Sequence, residues 1–515
     1  MSSSFLSTTL DRLHLDVLSQ KLIENATPKV AGIVAAASSI LVVSAVTGVV
    51  LLARSVSKSV GLAEPTKDQL QEEKPEQNCA LFRKFPKLAK KLAWRSLGAS
   101  KKTPVHVCTL PKIPKFYVKR EDLISPLYGG NKVRTLQHQL AVLEARRERG
   151  DVAAKQIVAV GSGGSNQVIA TVVHAQKLGW NEANKDCAIN ACWFDSDEPD
   201  FDNTLNYLSV LSFPNVGFTS DWGGSPALLA TLSALKGAVQ QKELIPLMLG
   251  GNCPAGVLGQ ASGILELAEQ IENGDSPDVD RIYLPIGSGC TVSGLIFGVV
   301  LARHLKMQAL SSPDFKVVGC NVVDNFAMLD RTVGFHVSPM FAFMPLTIIH
   351  SILGACRALK EIGGPDLEHE CRQFLKTNVE LRSDADVVGK YGAHSEKSRE
   401  SALYYDENGV VTDFKTGKKE KDLWVCGHFP LVKDLEEAMQ QSPSKDPPKY
   451  MLWQTKSLVQ PKGPLNEWEK MQQQNDVVKK WADDGKAESP KFRPGKVSTK
   501  DGSSEDYRSV MTVIQ

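Results

Sequence analysis

Hydrophobic and polar positions divide the chain into unlike stretches. Residues 30–53 form an unbroken, uncharged apolar run between Lys29 and Arg54. At about 1.5 Å per helical residue it reaches roughly 36 Å, enough to cross a hydrocarbon core of about 30 Å with some tilt. It starts too far from Met1, and is too long, for the apolar region of a signal sequence. The pattern therefore predicts one N-terminal transmembrane helix over 30–53, preceded by an extension over 1–29. Residues 54–80 carry Glu, Lys, Gln and Pro and read as a solvated linker. The basic stretch FRKFPKLAKKLAWRSLG, from Phe82, reads as the entry helix of a folded domain in preference to a segment lying on an anionic membrane surface.

From about residue 115 to 460, short β-rich runs alternate with helical patterns. QIVAVG (156–161) is followed by NQVIATVVHAQKLG (166–179). RIYLPIGSG (281–289) is followed by GLIFGVVLARHL (294–305), and FKVVGCNVV (315–323) comes next. Such alternation predicts an α/β architecture of βαβ units, with mostly parallel sheet covered by helices. Beyond residue 466 the composition turns polar, and 466–515 reads as a flexible tail.

Composition narrows the function classes. Lys and Arg number 60 against 58 Asp and Glu, for a net charge of +2, so a dedicated nucleic-acid binder is disfavoured. A 42% hydrophobic and 23% charged chain is globular, neither disordered nor a polytopic membrane protein. The ten Cys are spread singly and give no metal-ligand spacing; they read as buried or free thiols in a reducing compartment. Arg54, Lys58 and Lys67, with Lys74, Arg83 and Lys84 beyond, follow the apolar run closely. That bias places a single-pass protein with its large part in the cytosol, an organelle membrane being the alternative.

Three segments carry chemistry. GSGGSNQ (161–167) and GSGCT (287–291) each follow an apolar strand and open a helix. Strand, glycine turn and helix N-terminus together make an anion site, because small residues let several backbone N–H groups converge where the helix dipole favours negative charge. Neither turn completes a dinucleotide fingerprint: Asn166 and Val292 stand where a third Gly is required. The third segment is YVKRED (117–122) followed by YGGNKVR (128–134). Lys132 there begins an amphipathic helix, where cationic charge is disfavoured. A lowered pKa follows from that placement, as a Schiff-base lysine requires.

Taken in order, KRED…GGNK, SGGSNQ and GSGCTxSG resemble the fold-type II pyridoxal-phosphate enzymes. Within them the chain is most similar to the 1-aminocyclopropane-1-carboxylate deaminase and D-cysteine desulfhydrase family, over about residues 82–460. The resemblance implies two open, twisted, mostly parallel sheets with helices on both faces. A large cofactor-binding domain would take residues 81–134 and 256–465, and a small domain 135–255. It implies pyridoxal 5'-phosphate as cofactor, a small amino acid as substrate and a possible homodimer. Lys132 would hold the cofactor aldehyde and move the substrate proton. Ser165 would meet the substrate carboxylate, with Asn166 beside the cofactor ring oxygen and Gln167 and Asn131 also in the cofactor site. Ser288, Gly289, Cys290 and Thr291 would hold the phosphate, and Tyr391 would be an active-site tyrosine. The activity implied is D-cysteine desulfhydration, giving pyruvate, sulfide and ammonia; the alternatives are opening of the cyclopropane amino acid, or a membrane-tethered sensor or scaffold that has lost turnover. Two departures stand out: Lys415, within 412–418, falls where the family has a second tyrosine, and Thr455-Lys456-Ser457 replaces a Thr-Gly-Gly turn.

Overall fold

The computed structural model describes residues 56, 58–99, 102–111, 113–161, 164–180, 188–192, 201–214, 216–218, 235–321, 344–382, 404–405, 407–420, 423, 448–474, 476–487 and 511–513. Val56 and Val60 are already buried, and the Val60 carbonyl accepts from Arg146 at 2.8 Å. Helix α1 (Lys67–Glu73) opens with a capping box in which Thr66 and Gln69 each accept the other's backbone N–H. The Gln69 amide then donates to Glu144 at 2.6 Å. The stretch read as a linker is thus fastened to the domain by its polar residues. In the basic stretch that follows, two short helical turns, Ala80–Lys84 and Pro86–Lys90, bury Phe82 and Leu88, and Arg83 reaches Glu269 at 2.6 Å.

The expectation of an N-terminal transmembrane helix, with the single-pass membrane placement drawn from it, is corrected. Among the described residues no helix is long and apolar enough to cross a membrane. Residues 30–53 themselves lie outside the described residues. The helical turns that follow them are short and carry charge, as in α1 with its sequence KDQLQEE.

The chain then runs through β1 (Val105–Leu110), β2 (Ile113–Lys119), α2 (Lys132–Glu148), β3 (Gln156–Val160), α3 (Asn166–Lys177), β4 (Ala188–Cys192), α4 (Phe201–Leu211), β5 (Val216–Phe218) and β6 (Ile245–Leu247). It continues with α5 (Pro254–Glu272), β7 (Arg281–Ile286), α6 (Cys290–His304), β8 (Lys316–Asn321), α7 (Met344–Glu361), α8 (Glu368–Thr377) and β9 (Val379–Arg382). The last elements are β10 (Val410–Asp413), β11 (Lys419–Glu420), β12 (Tyr450–Trp453), β13 (Gln460–Lys462), α9 (Glu467–Gln472), α10 (Asp476–Ala487) and β14 (Met511–Val513).

Two α/β sheets result. The smaller is parallel throughout, in the order β5-β4-β3-β6. The larger has eight strands in the order β11-β10-β1-β2-β12-β7-β8-β9. Its strands from β2 to β9 pair in parallel, while β1, β10 and β11 extend the other edge antiparallel. Strand β7 is buried along almost its whole length, as a parallel strand covered on both faces must be, which is why RIYLPI shows no alternation.

Beneath the junction of α2, α5 and β2 lies a buried charge network. Lys119 donates to Glu266 at 2.7 Å, and Arg134 donates to Glu266 at 3.0 Å and to Glu121 at 2.8 Å. Burial by itself would raise the Glu266 carboxyl, but Arg134 and Lys119 hold it down to about 2. The two cations and two carboxylates share one dry space and fix the start of α2 against α5.

Residues read as a flexible polar tail also carry order. Helices α9 and α10 pack on α4 through Met471, Val478, Trp481 and Ala482, and β14 pairs in parallel with β13. The apolar positions that make this face are few and widely spaced, so average polarity concealed them.

Candidate active site

Lys132 is presented by a tightly threaded turn. A Cβ at Gly129 would lie 1.9 Å from the Asp122 carbonyl, so only glycine passes there. Gly130 has φ +94, its N–H donates to the Glu121 carbonyl at 2.8 Å, and the Asn131 N–H donates to the Thr455 carbonyl at 3.0 Å. The first residue of α2 is thereby held between the end of β2 and the loop after β12. The half-buried Lys132 amine donates to the Gly250 carbonyl at 3.4 Å. Burial pushes it below the ordinary lysine value. The nearby Cys290 thiol is itself pushed up to about 12 by burial, so at neutral pH it supplies no anion. No carboxylate pairs with Lys132 among the described residues.

Opposite the amine, Gly287 to Gly289 join β7 to α6. Gly289 is the N-cap of α6 with φ +83 and, lacking a side chain, caps nothing itself. The Cys290 N–H reaches the Ser288 hydroxyl at 3.5 Å, and the remaining first-turn N–H groups of the 15-residue helix face the turn. A Cβ at Gly287 would meet nothing within 4 Å, so this turn borders open space. A Cβ at Gly250 would lie 1.9 Å from the Ser288 hydroxyl and 3.4 Å from the Lys132 amine, so hydroxyl and amine are neighbours across that glycine. Asn131 bridges the two halves: its amide donates to the Thr291 hydroxyl at 2.8 Å, and its carbonyl accepts from Gln260, which also donates to Thr135 at 2.8 Å. Glycine-lined donors, two hydroxyls and a desolvated amine fit a ligand with a dianionic phosphate at one end and an aldehyde at the other.

Ser165 caps α3, its hydroxyl accepting from the Val168 N–H at 3.4 Å. The Asn166 carboxamide oxygen accepts from the Tyr128 hydroxyl at 2.8 Å and from Asn206 at 3.1 Å. Helix α3 lies against both α2 and the Leu249–Gly251 turn, which brings this element to the lysine. Gln167 turns inward: it is buried and donates to Thr171 in its own helix at 3.4 Å. Tyr391 lies outside the described residues.

The 412–418 segment is not beside Lys132. It is a β-hairpin between β10 and β11 whose exposed Lys415 pairs with Asp275 at 2.7 Å, just past the end of α5. Lys132 meets Gly250, just before that helix begins. The 19 residues of α5 separate the two by about 28 Å. Lys415 therefore does not stand in for a site tyrosine. The segment's likeness to the family pattern reflects turn chemistry, since Asp413 accepts from the Thr416 N–H at 2.7 Å and Gly417 has φ +68.

Sequence reasoning overlooked several neighbours. Gly250-Gly251-Asn252 repeats the Gly-Gly-Asn of 129–131 and precedes a Pro at the first turn of α5, a legible signal. Tyr128 and Asn206 meet at Asn166, with Gln460 behind Asn206, from distant parts of the chain and leave no local pattern.

No family model matches the chain. A putative 1-aminocyclopropane-1-carboxylate deaminase of Pyrococcus abyssi is 27% identical over 250 residues, 47% of this chain and 64% of that protein. A nocardicin C-9' epimerase of Nocardia uniformis is 30% identical over 217 residues, 41% of this chain and 58% of that protein. A mitochondrial bifunctional D-cysteine desulfhydrase/1-aminocyclopropane-1-carboxylate deaminase of Arabidopsis thaliana is 28% identical over 224 residues, 41% of this chain and 54% of that protein. The match thus spans less than two thirds of each relative's length. A solved structure of an ACC deaminase homologue aligns with 72% of this chain and 94% of its own at 20% identity, with a TM-score of 0.49. Over the aligned residues the chain is a relative of the 1-aminocyclopropane-1-carboxylate deaminase and D-cysteine desulfhydrase family of fold-type II pyridoxal-phosphate enzymes.

Proposed function

We propose that the protein is a pyridoxal-phosphate-dependent lyase or deaminase of a small amino acid, most like a D-cysteine desulfhydrase. Opening of 1-aminocyclopropane-1-carboxylate is the alternative substrate chemistry. The observation that carries the reading is the Lys132 amine, its pKa lowered by burial, facing Ser288 across Gly250 at the start of α6. When bound, pyridoxal phosphate would supply the electron sink for charge developing at the substrate Cα.

Each side chain then has a role that its surroundings support. Lys132, its pKa lowered by burial, would join the cofactor aldehyde and afterwards take the Cα proton on Nζ. The Ser288 hydroxyl and the N–H groups of Gly289, Cys290 and Thr291 would seat the phosphate. The Ser165 hydroxyl would orient the substrate carboxylate, and Asn166 would sit at the cofactor ring oxygen. With D-cysteine, the Cα proton leaves to Lys132, the Cβ–S bond breaks and sulfur departs as sulfide. One water then releases ammonia and pyruvate.

Reconstitution of the full chain with pyridoxal phosphate tests the reading. A visible absorption band absent from Lys132→Ala, with sulfide and pyruvate from D-cysteine, is the expected result. Ammonia and α-ketobutyrate from the cyclopropane amino acid would select the alternative. A Lys132-dependent band with no turnover on either substrate would leave cofactor binding standing and overturn the lyase assignment. Absence of the band would overturn both.

A further inference from the structure

The orientation of the Asn166 carboxamide is fixed by a chain of unambiguous partners. The Gly164 carbonyl can only accept, and it takes an N–H from the Asn206 amide at 2.9 Å. That contact sets which end of Asn206 is nitrogen. Its oxygen then accepts from Gln460 at 3.2 Å, and its nitrogen also donates to the Asn166 oxygen at 3.1 Å. The Tyr128 hydroxyl donates to the same oxygen at 2.8 Å. Both lone pairs of that oxygen are thereby used. Exchanging the Asn166 oxygen and nitrogen would set N–H against N–H, so the alternative orientation is excluded. Among the described residues nothing takes up the Asn166 nitrogen.

Resting on the cofactor reading above, we propose that Asn206, with Tyr128, is a positioning residue that turns the Asn166 NH2 group toward the cofactor ring oxygen as a hydrogen-bond donor. Asn206 acts through Asn166 and touches no ligand itself. It lies on α4, 40 residues from Asn166, and Gln460 ties that helix to β13. The donor at the ring oxygen is thus set by contacts from both the small sheet's helices and the chain after β12.

Asn206→Asp gives the sharpest test. A carboxylate at 206 accepts only, so it repels the Gly164 carbonyl and draws the Asn166 NH2 toward itself, leaving an oxygen to face the ring oxygen. The measurement is equilibrium dialysis of the full chain with pyridoxal phosphate and with its analogue lacking the ring hydroxyl. The wild type is expected to prefer pyridoxal phosphate by about tenfold or more, the worth of one hydrogen bond to a charged oxygen. In Asn206→Asp that preference disappears, and in Tyr128→Phe it falls severalfold. A merely structural role would weaken both ligands equally. An unchanged preference in folded Asn206→Asp overturns the proposal; should that variant fail to fold, an unchanged preference in Tyr128→Phe does so. If the wild type binds neither ligand, the cofactor reading itself fails, and the two failures are distinct.

Discussion

Lys456 and Asp202 form an ion pair at 3.3 Å with both side chains almost wholly removed from water. Lys456 sits in the loop after β12, antiparallel to Gly130 just before Lys132, and Asp202 opens α4 beside the small sheet. The pair therefore joins the two halves of the molecule at the departure from the Thr-Gly-Gly pattern. Lys456→Met and Asp202→Asn should each cost about 3–5 kcal/mol, because each removes one partner of a buried ion pair. The double variant should recover most of that loss. Urea unfolding of all four proteins checks the coupling; additive losses would rule it out.

Gly250 is the second sensitive point. Its φ of +64 and its closeness to Ser288 and Lys132 leave no room for a methyl group. Gly250→Ala should raise the dissociation constant for pyridoxal phosphate at least tenfold, since the Ser288 hydroxyl or the lysine must move. Gly61 has a similar φ of +66 with nothing within 4 Å of its Cβ position. Gly61→Ala should cost about 1–2 kcal/mol of stability, the strain of a left-handed side chain, and leave cofactor affinity intact.

Acid should destabilise the fold well above the usual carboxylate range. His106, His138 and His174 are buried, and burial lowers each to about 4 from 6.5; Arg120 adds to the effect at His106. Between these values the unfolded chain binds protons that the folded one does not. Stability is therefore complete above pH 6.5 and falls as pH drops toward 4, by at most about 4 kcal/mol per pH unit for three such groups. Urea midpoints at pH 7.5, 6 and 5 should decline accordingly. A flat profile would show that these rings charge freely in the folded state.

Glu266 tests the buried network from the other side. Glu266→Gln leaves Lys119 and Arg134 without their shared anion and should cost about 3–5 kcal/mol. Since Arg134 lies two residues beyond Lys132, the same variant should also weaken cofactor binding. Denaturation and dialysis read the two effects separately.

What the sequence revealed and what it concealed have physical causes. The helix starts at Lys132 and after Gly289 were legible because glycine turns and helix starts are local chemistry, written in adjacent residues. The contacts at Asn166 and Asn206 were not, because Tyr128, Asn206 and Gln460 lie 38 residues or more from their partners. The 412–418 segment misled because a tight hairpin and a ligand turn draw on the same small set of residues. The last helices were missed because Met471, Val478 and Trp481 face one side of an otherwise charged stretch. The apolar run at 30–53 matched the length of a membrane span, yet length and hydropathy describe a segment without the contacts that decide its placement.

Asn131 is the shared beam between two rooms. One arm grips the hydroxyl at the head of α6, and the other is held by Gln260 from α5, while its neighbour in the chain is Lys132. A guest that enters at one end consequently squares the frame for the other. Half-molecules, a free phosphate or an aldehyde stripped of its phosphate, should each grip far less tightly than half of the whole, and each should sharpen the welcome for its missing counterpart.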